Sequence, residues 1–369
     1  MWRRGLVGPV IVLGLGLLLS AAPAAASVAA APLGPVVDAP DGRGEMELVL
    51  FDDVLAPALL AADPEQEIEV RDWPVTPGRR ATVRLRRFDV YAPDAKVVVI
   101  ENGVSREQPR SRLAFFQGAV ADGLEEGSRL VAWLDPDTGR IGGFAAAASG
   151  TVLLEPSRRA GREATRVVMA ESASETEPHP AWSCGVKEEG EDFPWREEMK
   201  RAREAAAAVR SSSVAALGTL TKTAVIAFDT DAEYLDLRFG NDAGAATNHI
   251  AQLVAGMSLI YERDVASVAG NGVRILQGYT ILRVGESSDP YTDTVGTADS
   301  AKLNEFTNYW ETNYPRTVVR RALAALLSGK TGSPNSASGI AWISGLCNGI
   351  GYSIDQIFTG NWGVSNDLG

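Results

Sequence analysis

The chain has 369 residues, 45% of them hydrophobic and 22% charged, enough for two domains with real cores. Its net charge of −12 excludes a phosphate-binding surface, which needs clustered Lys and Arg, and no basic stripe interleaves with aromatics, so nucleic acid is not an expected partner. Two cysteines, Cys184 and Cys347, exclude a disulfide-rich scaffold.

The N-terminus reads as an export signal. Arg3 and Arg4 precede an apolar stretch from Leu6 to Leu19, and Ala24-Ala25-Ala26 offers a small-residue cleavage site. A membrane anchor is the competing reading, but the run is short. An exported protein with no membrane contact after signal cleavage is expected. Residues 27–45 are rich in Ala, Pro and Gly and read as a flexible lead-in.

From Met46 to Pro156 the pattern is mostly strand-like. Thr82 to Arg86 alternates apolar with polar, and Lys96 to Ile100 is a buried-strand pattern closed by the Asn102-Gly103 turn signal. Leu113 to Phe116, Arg129 to Leu134 and Thr151 to Leu154 continue the series, with a turn at Asp135 to Gly139. This spacing predicts a small antiparallel β domain without a catalytic constellation. Residues 157–221 read as a connector. Within it Arg196 to Val209 has helical composition with little apolar periodicity, and Lys200-Arg201 with Arg203 could be cut by a trypsin-like enzyme, though a solvated helix face is the plainer reading.

Beyond residue 222 the character changes. Ala224 to Phe228 predicts a buried strand, and the acidic run Asp229, Asp231, Glu233 and Asp236 after it reads as a solvated strand end. Its spacing matches no calcium loop. Ile250, Leu253, Val254, Met257, Ile260 and Tyr261 predict an amphipathic helix. Val273 to Leu276 and Tyr279 to Leu282 predict a strand region. Leu303, Phe306, Tyr309 and Trp310 predict a helix that stops before Pro315. Val318 to Leu327 reads as more helical and Gly339 to Leu346 as more strand-like, an alternation that predicts an α/β layer.

Leu326-Leu327-Ser328-Gly329-Lys330-Thr331, Gly339 to Cys347 and Gly351-Tyr352-Ser353 together resemble a passage of the reprolysin (adamalysin) branch of the metzincin zinc metallopeptidases. Val225 to Asp231 and the helix ending Ser258 to Tyr261 also fit, so the resemblance covers about residues 222 to 369. It implies an incomplete α/β metzincin-like catalytic domain preceded by a β-rich prodomain. It also implies that Gly339, Ile340, Ala341, Trp342, Ile343 and Ser344 form an edge strand on which an extended protein or peptide substrate pairs. An ordinary sheet strand is the plainer reading of the same residues.

The family's zinc helix carries H-E-x-x-H, two His one turn apart that reach one metal, with the Glu as general base. No such motif occurs here, and the only histidines are His179 and His249, read as a loop residue and a structural or surface residue. Zinc is therefore expected in a full-length family member but not at a catalytic site of this chain alone. The expectation is a precursor ending just before that helix and inactive as it stands, or else a non-enzymatic binding module with a degenerate peptidase domain. Cys184-Gly185-Val186 resembles the cysteine switch of such zymogens, in which a thiolate fills the zinc position needed by water until an activating protease removes the propeptide. A Cys184–Cys347 disulfide and a free thiol are the alternatives. By the same resemblance Cys347 would pair beyond the zinc helix.

Overall fold

The computed structural model describes residues 27–28, 35–38, 46–159, 162–169, 222–269, 272–292, 300–330, 339–342 and 351–357, apart from positions 52, 65, 125–126 and 148–149. Cys184, Cys347, His179, Ile343 and Ser344 lie outside these residues, as does the helical composition from Arg196 to Val209.

The first sheet has ten strands. In chain order they are β1 (Ser27–Val28), β2 (Pro35–Asp38), β3 (Met46–Val49), β4 (Glu67–Thr76), β5 (Arg79–Phe88), β8 (Ala114–Val120), β9 (Arg129–Leu134), β10 (Ile141–Ala147), β11 (Gly150–Arg159) and β12 (Arg162–Met169). Their spatial order is β1-β4-β5-β8-β9-β10-β11-β12-β3-β2, antiparallel throughout except that β1 runs parallel to β4. Two of these strands come from the segment expected to be a lead-in. The sheet curls into a half-barrel, so that β4 approaches β10 and β12 across its interior. Val83, Leu85, Phe116, Leu130, Ala132 and Leu154 fill that interior with Leu55 and Leu59 of helix α1 (Leu55–Ala61). Alternation drives this: most inward residues are apolar and buried, their neighbours face the other side, and a bulge between Val70 and Trp73 shifts the register in β4.

The second sheet contains β6 (Val97–Glu101), β7 (Val104–Gln108), β13 (Lys222–Thr230), β14 (Val273–Val284), β15 (Leu323–Ser328), β16 (Gly339–Ala341) and β17 (Tyr352–Gln356), in the order β16-β17-β15-β13-β14-β6-β7. The five central strands are parallel; β7 and β16, at the two edges, are antiparallel to their neighbours. The β6–β7 hairpin turns on Asn102 and Gly103, both at positive φ, as the turn signal predicts. Helices α2 (Ala232–Phe239) and α3 (Ala243–Ala269) follow β13, and α4 (Ser300–Asn313) follows β14.

Helix α3 lies between the two sheets. Ile250, Leu253 and Val254 share one core with Phe115, Trp133 and Phe144 of the first sheet and Ile226 and Leu282 of the second. Helix α4 covers the opposite face of the second sheet through Leu303, Phe306 and Trp310, packed on Ala324, Leu326, Tyr352 and Ile354.

This architecture corrects the expectation of an α/β metzincin-like domain behind a β-rich prodomain. Strands hold 49% of the described residues against 24% for helices, and the dominant feature is the curled antiparallel half-barrel. The segment Val318 to Leu327, read as helical, is strand from Leu323 onward. Its Leu-Ala-Ala-Leu-Leu run is buried between β13 and β17. A strand covered on both faces reads as a continuous apolar stretch, which periodicity alone does not separate from a buried helix. Among the described residues no helix is long and apolar enough to cross a membrane.

Candidate functional site

Two places on the second sheet gather chemistry. The first is the C-terminal end of the parallel strands. The chain runs from β13 to β14 on one side, then crosses to β15 on the other. Open sheets with this reversal commonly bind ligands in the crevice it creates. Here, among the described residues, a buried polar cluster fills this end of the sheet.

The acidic run read as a solvated strand end supplies that filling. Asp229 and Asp231 are 0% and 1% exposed. Arg283 Nε and Nη2 donate to the two oxygens of Asp229 at 2.9 and 2.8 Å, Tyr291 Oη donates at 2.6 Å, and Trp310 Nε1 at 2.8 Å. The guanidinium stacks between the rings of Tyr291 and Tyr309 at 5.5 and 5.1 Å and donates to the Ser288 carbonyl at 3.1 Å. Burial works against the Arg283 charge, but the adjoining carboxylate more than compensates and holds it above its usual range. Burial, reinforced by Asp229, also keeps the Tyr291 phenol well above its ordinary range, so it remains a donor.

Asp231 is the N-cap of α2. Its side chain accepts from the Tyr234 amide at 2.8 Å, the Gly329 amide at 2.9 Å and the Ser328 hydroxyl. Lys330 Nζ sits 3.5 Å from Glu233 and 3.6 Å from Asp289, whose carboxylate also accepts from the Ala232 amide. The cluster therefore locks β13, β14, β15 and α2 together.

Burial raises the Asp231 carboxyl to about 6, against the donors that lower it. Its folded-state value lies above the unfolded one, so the folded chain takes up this proton first as pH falls. The contribution to stability rises from pH 7 towards pH 4 and is complete below the unfolded value of 3.8. In urea titrations at a series of pH values, the wild type is expected to gain stability relative to Asp231→Asn between pH 7 and 4. A constant difference would contradict the assignment.

The second place is the sheet edge at β16. Gly339, Ile340 and Ala341 pair with Asp355, Ile354 and Ser353 of β17, and β16 is the last strand of the sheet on that side among the described residues. The Trp342 amide donates inward to the Tyr352 carbonyl at 3.2 Å. The two-residue period of a strand then turns the N–H and C=O of Ala341, and those of Gly339, away from the sheet. Ile340 and Trp342 lean on the aromatic core under α4, with Trp342 Nε1 donating to Thr307 at 3.2 Å, and Ala341 is exposed. This arrangement can align an extended peptide by backbone hydrogen bonds. On the opposite face Asp355 accepts from the Ser353 hydroxyl at 3.1 Å; burial raises its carboxyl to about 6, and among the described residues no cation pairs with it.

Among the described residues, no donor set matches the zinc implied by the resemblance. No group of three or more His, Cys, Asp or Glu side chains converges among the described residues. His249 is buried between Tyr234 Oη, 2.8 Å from Nδ1, and Arg238 Nη2, 3.1 Å from Nε2, so both ring nitrogens are engaged. Arg283 and Tyr291 join Tyr309 and Trp310 of α4 in the buried polar cluster around Asp229, and the sequence pattern marks only the two α4 residues among them, as part of a helix. The signal for Arg283 is a lone charge in a mostly apolar strand stretch, Tyr279 to Val284.

No protein-family model matches the chain, and no curated protein does. Among solved structures, metalloproteinase-II from Bacteroides fragilis aligns with TM-score 0.31 and 10% identity, over 82% of this chain and 78% of that one. A chain from a chaperone–substrate complex aligns with TM-score 0.27 and 11% identity, over 40% of this chain; the match spans only 22% of that chain's length. At these scores neither likeness assigns a fold or an activity.

Proposed function

We propose that the chain captures extended peptides along the edge strand Gly339–Trp342, as part of an exported zinc metalloendopeptidase precursor. One observation carries this reading: β16 is an antiparallel edge strand on a parallel sheet, with the backbone of Gly339 and Ala341 turned outward. The local sequence from Leu326 to Cys347 supports the peptidase relationship, and the N-terminal signal pattern supports export. Backbone pairing supplies alignment, while the side chains flanking the edge discriminate among peptides.

In an enzyme of this kind zinc would supply an activated water. The described residues offer no site for that metal, so hydrolysis is not assigned to them. Cys184 as an inhibitory zinc ligand, displaced when an activating protease cuts upstream of residue 222 and not by departure of the whole N-terminal half, belongs to the same proposal. The second reading is a peptide-binding module without catalysis. It shares the surface and differs in showing no zinc-dependent cleavage.

The test uses fluorescence anisotropy with labelled extended peptides. Ala341→Pro deletes one outward N–H and leaves the inward ladder intact, a substitution that edge strands tolerate. Binding is expected to weaken at least tenfold, while Ala341→Ser binds as the wild type does. Equal binding by Ala341→Pro, or no binding of any peptide by the wild type, sinks the proposal.

A further inference from the structure

We propose that the two halves of this chain stay together as one non-covalent particle after the connector is cut, because the outer edge of β14 is a strand-acceptor surface whose partner is the β6–β7 hairpin of the N-terminal half. This does not depend on peptide capture.

Strand β6 runs parallel to β14 in five register pairs, from Thr280 with Val97 to Val284 with Glu101. The approach to it is also tied down. The Gln277 amide donates to Val90 at 2.7 Å, the Ala92 amide to Gln277 at 2.8 Å, and the Thr280 amide to Lys96 at 2.7 Å. Past the strand, the Asn102 amide donates to Ser288 Oγ at 2.9 Å. Val97 and Val99 are wholly buried, in the core that α3 shares with both sheets. Ser111 Oγ donates to Asn248 Oδ1 on α3 at 2.7 Å.

Without β6, the outer edge of β14 from Thr280 to Val284 would present unpaired N–H and C=O groups, which a sheet edge keeps covered. A propeptide that acts by leaving would have to break this ladder and open the shared core in one step. The geometry therefore assigns residues 97–108 a permanent place in the second sheet. Cutting between the halves then changes connectivity without releasing either half.

The experiment inserts a site-specific protease sequence between residues 170 and 222 of the full chain and cleaves the folded protein. Both fragments are expected to co-elute from size-exclusion chromatography at the mass of the uncut chain, and the Thr280 and Leu282 amides, which face β6, should remain protected from hydrogen exchange. Separate elution in native buffer overturns the proposal. So does co-elution with those amides exchanging freely, since the association would then not run through the hairpin. Val104→Lys, on the exposed outer strand of the hairpin and away from β14, should co-elute as the wild type does.

Discussion

Replacing Arg283 by Met is expected to destabilise the chain by about 3–5 kcal/mol, among the largest effects available from a single residue. The guanidinium is 2% exposed and provides two of the donors on Asp229. Removing it leaves a carboxylate buried beneath Trp310 and Tyr291 with no charge to balance it. Three neutral donors, Tyr291 Oη, Trp310 Nε1 and the Thr230 amide, remain and are insufficient, because a buried ion needs its counter-charge more than it needs further hydrogen bonds. The partner substitution separates charge from shape. Asp229→Asn keeps an acceptor for the tyrosine and tryptophan while removing the ion. The double variant Arg283→Met, Asp229→Asn should therefore be more stable than Arg283→Met alone by at least about 1 kcal/mol. Urea unfolding of the two single variants and the double one measures this coupling. If the two losses simply add, the pair is not the ionic lock described.

Gly329→Ala is expected to cost about 3 kcal/mol for a different reason. A Cβ at this position would lie 2.4 Å from the backbone carbon of Glu233 and 2.4 Å from the Tyr234 amide nitrogen. Both atoms belong to the first turn of α2, which Asp231 fastens to β15 through the Gly329 amide and the Ser328 hydroxyl. Backbone cannot rotate away as a side-chain tip can, so the strand end and helix must part, and the Asp231 bonds lengthen with them. Gly240→Ala is the control. Gly240 sits at φ +55° with nothing within 4 Å of the added carbon, so only conformational strain of about 1 kcal/mol is expected. Thermal unfolding of both variants decides the matter: equal losses would mean that the close approach of β15 to α2 is not what requires glycine at 329.

The peptide-binding edge and the buried lock are related physically. An edge strand three residues long has little stability of its own. It keeps its register because β17 is held against β15, and β15 is fixed at its C-terminal end by Ser328, Gly329 and Lys330. Loosening the lock should therefore weaken peptide capture without any contact to the peptide.

Local signals in the sequence by themselves determined much of this protein. Alternation from Thr82 to Arg86, the Asn102-Gly103 turn, the apolar stripe from Ile250 to Tyr261 and the stop before Pro315 each report an element whose residues interact with near neighbours. Such patterns survive without knowledge of the rest of the chain. Tertiary structure alone decided what depends on distant partners. It made a strand of Leu323 to Ser328, because burial on both faces erased the period that would have named it. It took Val97 to Gln108 into the second sheet, because strand pairing is set by the edge available and not by the order of the chain. It buried Asp229, because Arg283, 54 residues later, brings the counter-charge that makes a carboxylate tolerable in a core. A charge in a sequence carries no mark of its partner, and only the fold brings the two within 3 Å.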